Sequence, residues 1–302
     1  MAVDQWRQWV EITGKPVVVG GITVPEWSRQ IGDLLAGTSA CFCRDTTSLD
    51  FIEDSDLCHG HTGFGPDAAF ACDVRDDAWA DAFRRQHGLK PDGYACFIGR
   101  LRFPPFHRMD QWYHLSPTQI AAGERLNAAT AEPDHAKLRR VIIGWVRETG
   151  KQAVICPEMI YQLADADPLL FEPLPDDVKA KTVVIRDWWC TDQAASLYRH
   201  ATAVVSMKMH SPVLAQNQGV PALHIRQIED TAKGQMWRDL GLADWLFEID
   251  DITGDEVLAA LMTINNDRSA AVERVVQTQA RIHDGHARMM QTIARILGIA
   301  QN

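Results

Sequence analysis

No run of apolar residues in this sequence approaches the roughly 20 needed to span a bilayer. Residues Met1 to Trp9 are polar, without the basic flank and apolar stretch of a signal peptide. Both absences point away from membrane insertion and secretion, and a cytoplasmic protein is expected. Positive charge is also short: 30 Lys and Arg stand against 40 Asp and Glu, a net charge of −10. A chain of that sign has no broad attraction to nucleic acid or to an anionic membrane surface, although a local basic pocket still suits a small anion. The seven cysteines are odd in number and sit in apolar runs such as Ala40-Cys41-Phe42-Cys43, which suits reduced, buried thiols rather than a disulfide framework. Cys41 and Cys43 share one face of a strand, but no second Cys/His pair follows at zinc-ligand spacing. His59 and His61 flank Gly60 without a suitably spaced carboxylate, so no metal is expected there either. Internal repeats and low-complexity tracts are absent.

What is present is a repeated unit: a short apolar run rich in Val, Ile, Phe or Cys, then a turn cluster, then an amphipathic helical stretch. That alternation predicts parallel βα units. At 302 residues, 46% hydrophobic and 23% charged, the chain is long enough for its core to divide in two. Strands are expected at residues 16–20, 40–43 and 56–59, with helices at about 26–36 and 46–53 and a loop over 60–71. A helix follows at 76–88, ending on Gly88, and the Lys-Pro-Asp-Gly turn within 89–93 marks the expected domain boundary. Beyond it come a strand at 94–101, an aromatic, proline-containing loop through 102–113, a helix at 134–149, and strands at 153–156, 182–185, 203–206 and 222–225. Helices at 192–200 and 211–218 separate the later strands, and 255–262 and 269–297 close the chain. The expected domains are therefore 1–93 and 94–302, each Rossmann-like.

The stretch from Ala201 to Leu242 encodes strand, helix, strand and carries the best candidates for chemistry. His210 and Ser211 fall where a strand ends and a helix begins, the place where ligands collect in open parallel sheets. The free amides that follow them suit a phosphate or carboxylate. His210 is read either as a functional imidazole or as a satisfied histidine at a helix start. Arg44 leaves a strand and is placed to fork onto carboxylate or phosphate oxygens. Alternatively, Asp45 caps the following helix and Arg44 pairs with a local carboxylate. Lys233 is a loop lysine with a solvated role as its alternative, and Arg226 competes with it for the basic role. Trp188-Trp189 offers flat faces for a sugar ring or, more commonly, packing.

In order along the chain, Lys208-Met209-His210-Ser211, Ala215, Gly219-Val220-Pro221, Lys233 and Leu240-Gly241-Leu242 resemble the C-terminal half of the polysaccharide pyruvyl transferases. Upstream, Cys43-Arg44-Asp45-Thr46-Thr47-Ser48 and Gly65-Pro66-Asp67-Ala68-Ala69-Phe70 resemble two further segments of that family. Lys208 stands where the family usually has arginine. The resemblance implies a GT-B-like fold of two Rossmann-like domains with the N-terminal one shortened, because the family's opening Asn-x-Gly-Asp segment, whose aspartate is assigned a catalytic part, does not occur. It implies a transferase that moves pyruvate from phosphoenolpyruvate onto a saccharide acceptor as a ketal in cell-surface polysaccharide synthesis, with phosphoenolpyruvate as donor and no cofactor. On that reading His210 and Asp67 are the catalytic candidates, with His61 as another possible base, and Arg44, Lys208, Ser211, Arg226 and Lys233 bind substrate. Two rival readings stay open: a glycosyltransferase or epimerase using a nucleotide-sugar, for which Glu229 and Asp230 are candidate ribose readers, and a non-catalytic glycan-binding relative.

Overall fold

The structure is a computed structural model and describes residues 2–24, 28–109 and 114–299. Residues 26–27 of the expected second-segment helix and 110–113 of the expected aromatic loop lie outside the described residues. Contacts within the chain separate two units. The first comprises Met1–Ala71, Thr231–Ala243 and Gln277–Asn302, the second Cys72–Asp230 and Asp244–Val276. Residues 72–93 thus count with the second unit, and the helix Arg268–Ile296 is divided, with residues from Gln277 onward counting with the first. No described helix is long and apolar enough to cross a membrane.

The first unit is built on a parallel sheet of three strands in the order β1 (Val18–Ile22), β2 (Ala40–Cys43), β3 (His61–Phe64). Its core gathers Val24, Leu35, Ile52 and Cys58 around Cys41 and Cys43, which do share a face of β2 as buried thiols. The third strand corrects the sequence reading, which put it at 56–59 and called 60–71 a loop. Asp56 takes a left-handed φ of 50° as the chain leaves the helix Thr46–Asp54, and the Leu57 N–H still reaches back to the Ile52 carbonyl at 3.4 Å. Those residues finish a helix. Gly60 then passes so close to β2's approach that a Cβ there would lie 2.5 Å from the Ser39 and Thr38 carbonyls. Only beyond it does pairing begin, Ala40 opposite His61.

The second unit holds six parallel strands: β4 (Tyr94–Ile98), β5 (Gln152–Ile155), β6 (Thr182–Val184), β7 (Ala203–Ser206), β8 (Ala222–Arg226) and β9 (Leu246–Glu248). Their spatial order is β6-β5-β4-β7-β8-β9. Numbered within the unit this is 3-2-1-4-5-6, the doubly wound dinucleotide-fold order, in which all strands stay parallel and the order of winding reverses between β4 and β7. Every residue of β4 and β7 is buried, as strands covered on both faces must be. The helix expected from residue 134 begins much earlier, at Pro117, and runs 33 residues to Thr149. The sequence reading began it at Asp134 because Leu138, Val141, Ile142, Trp145 and Val146 recur at helical spacing from there. The helix instead starts with a Ser116–Gln119 capping box and Pro117 in its first turn, and it carries Pro133 inside. The three-residue β9 was not expected at all.

Candidate functional site

The reversal between β4 and β7 positions the second unit's candidate site. At the carboxyl end of β7 the Ser206 hydroxyl closes a tight turn, accepting from the Lys208 N–H at 2.9 Å and donating to the Lys208 carbonyl at 2.8 Å. That turn delivers His210 as the first residue of the helix His210–Asn217, with Pro212 in its first turn. His210 is 55% exposed, whereas Ser211 behind it is buried. The helix start already meets a carboxylate: Glu158 accepts from both the Ser211 N–H and the Ser211 hydroxyl at 2.7 Å. The other Glu158 oxygen lies 3.9 Å from His210 Nδ1. The Tyr198 hydroxyl donates to Ser211 Oγ at 3.2 Å, and burial pushes its titration well up. His210, Lys208 and Ser211 are therefore brought together, and the anion that the helix amides were expected to attract is supplied by the chain itself.

Glu158 is the residue that sequence reasoning missed. It follows β5 in Cys156-Pro157-Glu158, its side chain is 13% exposed, and the N–H groups of Glu158 and Met159 both donate to Gln162 Oε1 at 2.6 Å. Gln162 in turn donates to the Gly99 carbonyl after β4, so the loops following β4 and β5 are tied together. A glutamate just past a buried strand was the available signal, but its partner lies 53 residues away.

Across the sheet, Arg226 ends β8 and pairs with Glu248 of β9 at 2.7 Å, in register with it. His224 is fully buried with Nδ1 3.1 Å from the Ser206 carbonyl, and burial holds its pKa below the ordinary value. The two acids considered as ribose readers are engaged by arginines: Asp230 pairs with buried Arg100 at 2.5 Å, and Glu229 lies 3.7 Å from Arg102. Arg102 also forks onto Asp134 and Asp250, whose hydrogen bonds raise its pKa. Trp189 packs inward, donating to the Pro157 carbonyl at 2.8 Å, while Trp188 is half-exposed.

In the first unit, Arg44 and Asp67 meet each other. Arg44 Nη1 donates to Asp67, and Arg44 Nε donates to Thr23 Oγ1 at 2.8 Å. Asp67 also accepts from the Ala69 N–H at 2.8 Å. Asp45 is buried and caps the helix Thr46–Asp54, accepting from the Ser48 N–H at 2.8 Å while Thr23 donates to its other oxygen at 2.8 Å. Lys233 lies half-buried in the short helical segment Ile228–Gly234. His59 and His61 are exposed, His61 against the Phe42 ring at 5.5 Å between centroids. Among the described residues, no three His, Cys, Asp or Glu side chains gather as metal ligands.

The family model for Polysaccharide pyruvyl transferase matches residues 7–227 of this chain. No curated protein sequence matches it. Among solved structures, an S. aureus MnaA–UDP co-structure aligns with a TM-score of 0.59 at 10% identity, covering 99% of this chain and 81% of the other. A putative UDP-N-acetylglucosamine 2-epimerase from Listeria monocytogenes aligns at 0.58 and 9% identity over 97% and 70%. Anabaena Alr3699/HepE in complex with UDP aligns at 0.54 and 11% identity over 95% and 74%. The chain spans 61% of the length of a kitacinnamycin glycotransferase, aligned at 0.47 and 15% identity over 98% of this chain. These likenesses show an α/β fold of the GT-B type with Rossmann-like parallel sheets.

Proposed function

This chain belongs to the polysaccharide pyruvyl transferase family, and from that premise we propose that it transfers pyruvate from phosphoenolpyruvate to two hydroxyls of a saccharide in the cytoplasm, during synthesis of a cell-surface polysaccharide. In that reaction both sugar oxygens bond to C2 of the donor, the bond from C2 to the phosphate oxygen breaks, one hydroxyl proton goes to the methylene carbon and the other leaves with phosphate. The products are a cyclic ketal and inorganic phosphate.

The observation that carries this reading is His210, an exposed imidazole at the sheet's reversal point, two residues after Lys208 and 3.9 Å from the Glu158 carboxylate. Histidine changes charge nearest neutral pH, so a protonated His210 facing Glu158 can donate to the departing phosphate. Glu158 gives the imidazolium a carboxylate partner. Lys208 is the nearest cation in sequence for donor oxygens. Arg226 serves less well, because Glu248 already holds it. Arg44, Asp67 and Lys233 belong to the first unit, and their part in the reaction is a separate expectation with its own variants.

Calorimetric titration of phosphoenolpyruvate into the full chain tests this. Saturable binding that His210→Ala weakens at least tenfold is the expected result, with Arg44→Ala and Lys233→Ala measured alongside. The UDP in two of the similar structures motivates a nucleotide-sugar panel as the second arm. Binding of a nucleotide-sugar without phosphoenolpyruvate would favour the glycosyltransferase reading, which the ion pairs on Asp230 and Glu229 weigh against. Binding of neither would favour a non-catalytic relative.

A further inference from the structure

Both hydrogen bonds that Glu158 accepts from Ser211, one from the N–H and one from the hydroxyl, land on the same carboxylate oxygen, Oε2, at 2.7 Å. A hydroxyl has one hydrogen to give, and the Tyr198 hydroxyl already donates to Ser211 Oγ at 3.2 Å. The Ser211 hydrogen is thereby committed to Glu158. Tyr198 and Ser211 are both buried, so this chain of donors is shielded from solvent. The Glu158 main chain is fixed as well, because its N–H and that of Met159 both meet Gln162 Oε1 at 2.6 Å.

A carboxylate anchored through one oxygen has the direction of its other oxygen set too. Glu158 Oε1 accepts no hydrogen bond among the described residues and lies 3.9 Å from His210 Nδ1. That is an ion-pair separation, longer than a hydrogen bond. The second ring nitrogen, Nε2, has no protein partner among the described residues, on a side chain that is 55% exposed.

We infer that Ser211 is a positioning residue, which holds Glu158 so that the free carboxylate oxygen faces His210 Nδ1, keeps hydrogen on that nitrogen and leaves Nε2 to exchange protons with a ligand. A carboxylate only accepts, so its charge favours the tautomer with hydrogen on the nitrogen it faces. In the charged ring both nitrogens carry hydrogen, and the Nε2 hydrogen is the one that can be given up. On the pyruvyl transfer reading, on which this step rests, Nε2 gives its proton to the departing phosphate, the ring is left neutral with hydrogen on Nδ1, and a sugar hydroxyl returns a proton to Nε2. The tautomer itself does not depend on that reading. Ser211 acts through Glu158 and His210 and not on substrate.

Long-range proton–nitrogen NMR of the full chain, labelled at histidine and held at about pH 9, where an ordinary imidazole is neutral, reads the tautomer directly. The His210→Gln variant assigns the signal. Wild-type His210 is expected chiefly as the Nδ1–H form. Ser211→Ala frees the carboxylate to turn and should shift the majority to Nε2–H, whereas a serine that merely stabilised the helix would lower the unfolding midpoint and leave the tautomer alone. Glu158→Gln stays informative if Ser211→Ala fails to fold. With Ser211 holding the carboxamide oxygen, the amide NH2 faces Nδ1, which must then accept, and the ring inverts to Nε2–H. A carboxamide that Ser211 does not orient turns its oxygen to Nδ1 and leaves the tautomer unchanged. An Nε2–H wild type, or a tautomer unmoved in a folded variant, overturns the inference even where phosphoenolpyruvate binds. The expected tautomers without phosphoenolpyruvate binding uphold it and overturn the transfer reading instead.

Discussion

In the first unit the helix following β2 is capped by Asp45, the residue at its own N-terminus, three positions from the amide it accepts. In the second unit the helix following β7 is met by Glu158, 53 positions away in a different strand-end loop. Both arrangements satisfy the same physical demand, since the first amides of a helix have no partner within it. Their consequences differ. A local cap is complete once the helix forms, and it leaves Arg44 to pair with Asp67. A distant cap exists only when the loops after β5 and β7 are both in place, so it couples two parts of the sheet and sets a carboxylate beside the exposed His210. The strand end that reads as self-contained in sequence is the one tied down, and the one that needs a distant partner is where an imidazole is left facing outward.

Removing Glu158 should break this comparison most severely. Glu158→Ala deletes two hydrogen bonds to a carboxylate and leaves the buried Ser211 N–H without its partner, an expected loss of about 3 kcal/mol in urea unfolding. Asp45→Ala should cost less, about 2 kcal/mol, the upper range for an N-cap, and Asp45→Asn should restore most of it because asparagine caps nearly as well. A larger loss from Asp45→Ala than from Glu158→Ala would mean that the local cap is the one on which the fold depends, reversing the contrast.

The same contrast explains what the sequence disclosed. Strands β2 and β7 were expected at the bounds observed, 40–43 and 203–206, because their apolar runs are buried on both faces and stop at turn residues. The Asp45 cap was legible as an alternative for the same reason: an acceptor and its amide three residues apart are written side by side. Strand β3 was misplaced because His61–Phe64 carries one large apolar residue and owes its position to Gly60 passing the Thr38 and Ser39 carbonyls. The 33-residue helix was begun too late, at Asp134, because the apolar spacing read as helical lies in its second half, while its first half is mostly polar or small and carries Pro133. At the candidate site, Lys208, His210 and Ser211 were found as neighbours in one motif. Glu158 was not, because nothing near it in the chain signals that its carboxylate closes a helix formed 50 residues later.

Tyr198→Phe offers the finest probe of the distant cap. The ring is fully buried and packs edge-on to Trp189 at 5.7 Å between centroids, so the substitution keeps the packing and removes only the donor to Ser211 Oγ. Ser211 Oγ still donates to Glu158, which limits the expected loss to about 1 kcal/mol. Because Tyr198 and Glu158 share Ser211, the double variant Tyr198→Phe with Glu158→Ala should depart from additivity by at least about 0.5 kcal/mol, the coupling expected of residues in one hydrogen-bond network. Strict additivity in that cycle would show that the hydroxyl and the carboxylate act on Ser211 independently. The helix start would then be held by two separate contacts, and the contrast with Asp45 would reduce to distance along the chain.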